Sequence, residues 1–261
     1  MESNSLIASA GQHLVVVVAH PDDETFGCGS LIVHAAAAGA RVTVVCATRG
    51  EAGERVTDPA TDHLPIGDVR EQELRDAAAV LGVDAIELLH YADSGWDGEL
   101  AEGALCAVAI DDLADDLDAR LAYLAPDVVL VLDGGDGHRD HHHIRQAVEA
   151  VSARRAAPLP LVRACLSNSL MRRWVEEMRA GQFESVYLDL DVDSLGTPDS
   201  QLTAIDVSQH LTLREQAIAC HRSQSSPYDG LSPELRRAFL ATDFIQHSTT
   251  EYMRPIRQQG E

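Results

Sequence analysis

Short apolar runs alternate with helical patterns along the first two thirds of the chain, and this alternation constrains the fold more than any other feature. The apolar runs predict strands at His13 to Ala19, Arg41 to Thr48, Ala85 to His90, Pro126 to Asp133 and Leu161 to Ser167. Helical spacing predicts helices at Thr25 to Ala40, Asp68 to Val83, Glu102 to Leu124 and Asp140 to Arg155. Such alternation indicates βαβ units, and so an α/β fold with a Rossmann-like, mostly parallel sheet and helices on both faces.

The C-terminal third of the chain is less regular. Residues Val186 to Ser208 read as short strands joined by a polar turn, and helices are predicted at Leu211 to His221 and Ser232 to Ala241. No low-complexity linker or repeat interrupts the chain. We therefore expect a single domain over residues 1–261, with a Rossmann-like core at 1–167 and a C-terminal extension at 168–261 that shapes the pocket.

The charge of the chain excludes several kinds of partner. The 20 Lys and Arg residues face 42 Asp and Glu residues, which gives a net charge of −22 and argues against nucleic-acid binding. No apolar run approaches the roughly 20 residues that span a bilayer, so we expect no membrane insertion. The five cysteines are dispersed, which predicts reduced thiols in a cytoplasmic protein. The sequence leaves a homo-oligomer open.

Ionisable residues follow the predicted strands at the points where the strands end. In an open parallel sheet, ligands bind at the carboxyl ends of the strands. The segments concerned are His20 to Glu24, Arg49 to Glu51, Asp93 to Gly95 and Asp133 to His143. We therefore expect these side chains to meet at one edge of the sheet and to form the functional site.

The sequence "AHPDDE" directly follows the first strand and combines an imidazole with carboxylates. His20 and Asp23 are three residues apart on a turn, so both side chains can reach one point and bind a metal ion. Asp22 lies between them and could take a proton from a water that the metal activates. The alternative is a helix N-cap, because aspartate in a first turn complements the helix dipole.

A second cluster, "DGGDGHRDHHH", follows the fourth strand and can complete the metal site. It contains four histidines: His138, His141, His142 and His143. His138 and His141 are three residues apart, so one can bind the metal while the other faces the substrate. A His/Asp/His site with an open position suits Zn²⁺, and Fe²⁺ or Co²⁺ accept the same donors. We expect His142 and His143 on the helix surface.

Taken together, these motifs resemble the LmbE-like zinc N-deacetylases, a family that includes the N-acetylglucosaminyl-phosphatidylinositol de-N-acetylase and the mycothiol and bacillithiol deacetylases. Besides "AHPDDE" and "GHRDH", the resemblance covers "TRGEAGE" at 48–54, "REQEL" at 70–74, "LGV" at 81–83, "DSG" at 93–95 and "HRSQ" at 221–224. The "DSG" and "GEAGE" elements are most similar to the mycothiol-type branch.

The resemblance implies a role for each polar residue of the two motifs. The implied metal ligands are His20, Asp23 and His141. Asp22 matches the general base, and Asp140 matches a residue that orients an active-site histidine. His138 matches a histidine that, as imidazolium, stabilises the tetrahedral oxyanion or protonates the leaving amine.

The resemblance also implies substrate contacts, and here the chain departs from the pattern. Arg70 and Asp93, helped by Glu51, match residues that hold sugar hydroxyls. Asp136 stands where mycothiol-type enzymes have a tyrosine, and a carboxylate there would oppose an oxyanion unless it points away or binds a cationic group. Arg139 replaces the usual proline. Trp96 follows "DSG", where it could stack on a sugar or an aromatic aglycone, or simply pack.

The sequence therefore predicts a zinc-dependent hydrolase that removes an N-acetyl group from an N-acetylated amino sugar or a related amide, in natural-product or thiol-conjugate metabolism. The alternative is a non-catalytic metal- or ligand-binding protein on the same fold. A dinucleotide-binding reading is disfavoured, because Gly27 and Gly29 lack the third glycine of the phosphate-binding loop and carboxylates precede them.

Overall fold

The computed structural model describes residues 7–247, which form one mixed sheet with helices packed against it. The strands are β1 (His13–Val18), β2 (Arg41–Cys46), β3 (Ala85–Leu88), β4 (Val128–Leu132), β5 (Leu161–Cys165), β6 (Thr203–Asp206) and β7 (Thr242–His247). The helices are α1 (Asp23–Phe26), α2 (Gly29–Ala37), α3 (Ile66–Leu81), α4 (Ile110–Leu124), α5 (Arg139–Arg154), α6 (Asn168–Ala180), α7 (Leu211–Ile218) and α8 (Pro233–Ala241). No helix in this part of the chain has the length and apolarity needed to cross a membrane.

The strand order is β3-β2-β1-β4-β5-β7-β6, and it confirms the predicted Rossmann-like sheet. Strands β1 to β5 are parallel, whereas β7 is antiparallel to both β5 and β6. Strand β1 pairs with β2 on one side and with β4 on the other. The β1–β4 boundary is thus the point where the strand order reverses, and such crevices hold the ligand in open α/β sheets.

The valines of β1 are buried because helices cover both faces of the sheet. Val16 and Val18 belong to an apolar cluster with residues of α2 and α3, and Val15 and Val17 belong to a second cluster with residues of α4 and α5. A strand that is buried on both faces has a continuous apolar sequence rather than an alternating one. The first strand therefore runs through the centre of the core and ends at the reversal point.

Two predicted helices are shorter than the sequence pattern indicated. The helix predicted from Thr25 is divided into α1 and α2, with Gly27 between them. A Cβ added to Gly27 would lie only 2.4 Å from the side chain of Leu132 in β4. The prediction of a helix from Glu102 was wrong for its first eight residues. The backbone of Ala104 pairs there with Ala92, so α4 begins only at Ile110.

The C-terminal extension also differs from its prediction. Within 186–208 the only strand is β6, and three short 3₁₀ turns occupy the rest, with the side chains of Ser185 and Asp191 accepting hydrogen bonds at the start of two of them. Such local side-chain bonds compete with strand pairing. Helix α6 and strand β7 were not predicted. Strand β7 joins the extension to the sheet beside β5.

Arg214 of α7 fastens the C-terminal extension to the N-terminal half of the chain. Its side chain is 1% exposed and donates hydrogen bonds to Ser30 Oγ at 2.6 Å and to the Phe26 carbonyl at 2.6 Å. The guanidinium also lies 3.5 Å from Asp243 of β7. Removing one member of a buried ion pair leaves the other charge without compensation.

We expect Arg214→Met to lower the free energy of unfolding by about 3–5 kcal/mol, because Asp243 would remain buried without its partner. Chemical denaturation monitored by circular dichroism measures this change. Arg237→Met, at an exposed position of α8, is the matched control and should shift the value by less than about 0.5 kcal/mol. An Arg214→Met protein as stable as the control would contradict this role.

Candidate metal centre

The two predicted motifs meet at the carboxyl ends of β1 and β4. Val17 of β1 is paired with Val131 of β4, so the turn after one strand faces the loop after the other. The turn after β1 carries His20 and Asp23, and the first turn of α5 carries His141. All three side chains are at most 7% exposed.

Three donor groups converge at this point. His20 Nδ1 lies 3.2 Å from His141 Nε2, His141 Nε2 lies 3.1 Å from Asp23 Oδ1, and Asp23 Oδ2 lies 3.5 Å from His20 Nδ1. Donors bound about 2.1 Å from a tetrahedral metal are about 3.4 Å apart. Two imidazoles and one carboxylate with this spacing fit a zinc ion that keeps one position open for substrate or water.

Each of the two histidines uses its second ring nitrogen to contact a carboxylate. His20 Nε2 donates to Asp140 Oδ2 at 3.1 Å, and His141 Nδ1 donates to Asp136 Oδ2 at 2.6 Å. A carboxylate in this position fixes the tautomer of a metal-binding histidine and directs its free nitrogen toward the metal. Asp136, a departure noted in the sequence, thus points at His141.

Neighbouring carboxylates also raise the pKa of both histidines. Burial alone would lower both values. Asp136 and Asp23 outweigh burial and raise the pKa of His141 to about 10. Hydrogen bonds to Asp140, Asp23 and Asp93 likewise raise the pKa of His20 well above its ordinary value. The site therefore attracts positive charge, whether that charge is a proton or a cation.

A second acidic group, formed by His20, Asp93 and Asp140, is also close enough to hold a metal. Its carboxylates already accept protein hydrogen bonds, from the Gly95 amide to Asp93 at 2.8 Å and from the Ser94 amide to Asp140 at 3.0 Å. It offers one imidazole nitrogen instead of two. The His20–Asp23–His141 group matches the donor preference of zinc better.

His138 also offers a ring nitrogen at this point, within 4.8 Å of nitrogens of His20 and His141. Its Nδ1 accepts a hydrogen bond from the Asp140 amide at 3.2 Å and caps α5, which places the proton of the neutral ring on Nε2. Burial lowers its pKa, and His20 and His141 lower it further, to about 4. Both observations favour the neutral ring before substrate binds, and the predicted role of His138 as an imidazolium during the reaction stays a prediction.

Asp22 occupies an unusual backbone position between His20 and Asp23. Its φ of 125° lies in a region that costs a residue other than glycine about 1–3 kcal/mol. Its carboxylate accepts a hydrogen bond from Arg70 Nη2 at 2.9 Å. Burial raises the pKa of Asp22 to about 6, although Arg70 opposes the shift.

Glu24 and His221 hold this backbone and were not predicted to do so. Glu24 Oε2 accepts the Asp22 amide at 2.9 Å, and Glu24 Oε1 accepts His221 Nε2 at 2.8 Å. Both side chains of this pair are 0% exposed. The sequence signal was the last residue of "AHPDDE" together with the first of "HRSQ", which are 197 residues apart.

The predicted substrate residues have protein partners of their own. Arg70 and Asp93 line the cavity beside the metal centre, whereas Glu51 is not among its lining residues. Arg70 is 3% exposed and donates to the Gly50 and Pro21 carbonyls at 2.8 and 2.7 Å. Asp93 Oδ2 accepts the Ala52 amide at 3.2 Å.

Arg139, which replaces a proline in the motif, anchors the loop that follows β3. Its guanidinium donates to the carbonyl oxygens of Ser94, Gly95, Asp97 and Gly98. These four bonds tie the start of α5 to the segment that carries Trp96. The ring of Trp96 consequently lies 5.5 Å from that of His138, centroid to centroid.

Sequence comparison finds one matching family. The family model described as GlcNAc-PI de-N-acetylase matches residues 15–152, more than half of the chain. A 1D-myo-inositol 2-acetamido-2-deoxy-alpha-D-glucopyranoside deacetylase from Mycolicibacterium vanbaalenii is 34% identical over 256 residues. The alignment covers 92% of this chain and 89% of the relative.

Comparison with solved structures finds the same fold at low sequence identity. The N,N'-diacetylchitobiose deacetylase from Pyrococcus horikoshii has a TM-score of 0.59 and 22% identity, covering 90% of this chain and 83% of that one. A 4-carboxy-2-hydroxymuconate hydratase from Pseudomonas putida has a TM-score of 0.59 and 16% identity, covering 91% and 96%. These similarities show the fold alone, and the chemistry is decided by the residues of the site.

We expect His141→Ala to abolish tight zinc binding, because it removes one of three ligands. Asp136→Asn should weaken binding about 10–100-fold, since His141 loses its charged partner. Asp93→Asn and His142→Ala are the controls and should keep one zinc per chain. Titration calorimetry and metal analysis after dialysis measure these effects. Loss of zinc in Asp93→Asn with retention in His141→Ala would identify the other acidic group as the metal site.

Proposed function

Because the chain belongs to the GlcNAc-PI de-N-acetylase family, we propose that it is a zinc-dependent hydrolase that removes the acetyl group from an N-acetylated amino sugar or a related amide. The observation that carries the proposal is the convergence of His20 Nδ1, His141 Nε2 and the Asp23 carboxylate, whose Oδ1 lies 3.1 Å from His141 and whose Oδ2 lies 3.5 Å from His20, with Asp22 beside them. A binding protein without activity would not need a carboxylate held there in a strained backbone conformation.

The ligand set fits Zn²⁺, and Fe²⁺ or Co²⁺ accept the same donors. When bound, the metal supplies Lewis-acid activation of the attacking water and of the amide carbonyl. His20, Asp23 and His141 would hold it. Asp140 and Asp136 orient the two imidazoles through the hydrogen bonds described above.

Asp22 is proposed as the general base. Its carboxylate accepts a proton from the attacking water while the new C–O bond forms, and Arg70 keeps the carboxylate in place through the 2.9 Å hydrogen bond. The same proton is then delivered to the amide nitrogen as the C–N bond breaks. The immediate products are acetic acid and the amine, and the proton that the acid then loses is taken up by the amine, so that acetate and an ammonium group leave and atoms and charges balance.

His138 is proposed to stabilise the oxyanion of the tetrahedral intermediate. Its Nδ1 accepts from the Asp140 amide, so Nε2 carries the hydrogen that can be donated. Arg70 is proposed to position the carboxylate of Asp22. Asp93 is proposed to position the loop that contains Ala52, whose amide donates to it. Direct contact of Arg70, Asp93 and Glu51 with sugar hydroxyls stays a prediction.

The other predictions about the protein concern its organisation. We propose one domain, because β7 of the extension pairs directly with β5 of the core. The substrate is proposed to be a small molecule, as for the deacetylase from Mycolicibacterium vanbaalenii. A cytoplasmic location and a homo-oligomer stay predictions, as does a role in natural-product or thiol-conjugate metabolism.

We expect Asp22→Asn to keep its zinc and to lose about 10²–10⁴-fold in the rate of acetate release, because the amide cannot accept the proton. A panel of N-acetylated glycosides with mass detection measures the rate. Asp229→Asn is the control, since that side chain is 71% exposed and is not among the residues that line the cavity. Full turnover by a zinc-loaded Asp22→Asn protein would contradict the role of Asp22.

A further inference from the structure

We propose that the cavity beside the metal centre binds an aromatic, uncharged or cationic aglycone, so that the preferred substrate is an aryl glycoside of an N-acetylated amino sugar without a phosphate. This inference rests on the proposed deacetylase function and adds the class of substrate. It is carried by the size of the cavity, by the aromatic side chains next to His138 and by the charges that line the walls.

The cavity is larger than an amino sugar requires. Its volume is about 950 Å³, close to the upper end of the roughly 300–1,000 Å³ that drug-sized ligands occupy. Both the metal-centre residues and residues of the C-terminal extension line it. A single acetamido sugar held at the metal centre would therefore leave much of this volume for the group attached to it.

A series of aromatic rings extends from the metal centre into this volume. Trp96 lies 5.5 Å from His138 and 5.0 Å from Tyr187, and Tyr187 lies 6.0 Å from Trp174, each with the two ring planes tilted by at least 65°. Edge-to-face arrangements of this kind also accept an additional aromatic ring. Trp96 and Tyr187 are only partly buried, so their remaining surface is available to a ligand.

Apolar side chains continue to the rim of the cavity. Phe183 is 42% exposed and Val186 is 43% exposed, and both line the cavity. Exposed apolar side chains grouped at the edge of a cleft are typical of a binding site. Together with Trp96 and Tyr187, they give the cavity an apolar surface that an aglycone can contact.

The charges of the lining exclude a phosphate. Its two arginines, Arg70 and Arg214, are at most 3% exposed and bind protein carbonyls and carboxylates. The exposed ionisable side chains of the lining are the carboxylates Glu54, Glu184 and Asp189. A phosphate would meet like charges without a free cation to pair with, whereas a neutral or cationic group would not.

The backbone on both sides of Trp96 is held before a ligand arrives, and the ring packs against His138 and Tyr187. Arg139 donates to the carbonyls on both sides of Trp96, those of Gly95 and Asp97. A side chain held in its binding position loses little entropy when the ligand binds. Trp96 is thus suited to act as a rigid surface for an aromatic ring beside His138.

The test compares phenyl and methyl glycosides of N-acetylglucosamine with the same anomeric configuration. Calorimetry on the zinc-loaded Asp22→Asn protein gives the two dissociation constants, and zinc-loaded wild-type protein gives the two kcat/KM values. We expect the phenyl glycoside to be favoured about tenfold in both. N-acetylglucosamine 1-phosphate should bind more weakly than the methyl glycoside and should have a lower kcat/KM.

Variants of Trp96 and Tyr187 test whether these two rings cause the preference for the phenyl glycoside. In Trp96→Ala and in Tyr187→Ala, the ratio of kcat/KM for the phenyl glycoside to that for the methyl glycoside should fall toward one. Tyr123→Ala removes an aromatic ring that is 85% exposed on α4, and it should keep the wild-type ratio. A ratio near one in the wild-type protein, a ratio unchanged in Trp96→Ala, or a preference for the phosphate would overturn the inference.

The binding measurement separates this inference from the proposed function. If the phenyl glycoside binds better but no acetate is released from any substrate, the aglycone site stands and the deacetylase proposal fails. If acetate is released equally from both glycosides, the deacetylase proposal stands and the aglycone site fails.

Discussion

The two ring nitrogens of His20 have different partners, and the rest of the site depends on this division. Nδ1 faces Asp23 and His141, and Nε2 is held by Asp140 at 3.1 Å. One buried imidazole therefore joins the turn after β1 to the first turn of α5. The arrangement is available only because β1 and β4 are neighbours in the sheet, so that their carboxyl ends open into one crevice.

The C-terminal extension contributes to the same site from a distance. His221 binds Glu24, and Glu24 in turn holds the amide of Asp22, whose φ of 125° is strained. Strain of this kind persists only where the surroundings fix it, and it is common at functional sites. The extension also supplies Tyr187 and Phe183 to the cavity. It thus supports the proposed base on one side and shapes the proposed aglycone site on the other.

The alternation of strands and helices and the position of the polar motifs at the strand ends could be predicted from sequence, because both depend on local patterns. The buried valines of β1 end at His20, and the apolar run of β4 leads to His138 and His141. The individual partners of several buried carboxylates could not be predicted. Nothing in a pattern of neighbouring residues indicates that Glu24 would meet His221, or that Asp136 would turn toward His141 rather than toward a substrate. The 3₁₀ turns of the extension could not be predicted either, because they depend on hydrogen bonds of individual side chains such as Ser185 and Asp191.

The most direct test of this account is a crystal structure of the zinc-loaded protein with anomalous scattering measured at the zinc edge. The account predicts one peak about 2.0–2.2 Å from His20 Nδ1, an oxygen of Asp23 and His141 Nε2, with Asp22 beside the open position. A peak bound instead by His20 Nε2, Asp93 and Asp140 would contradict it, because the proposed base would then lie on the wrong side of the imidazole.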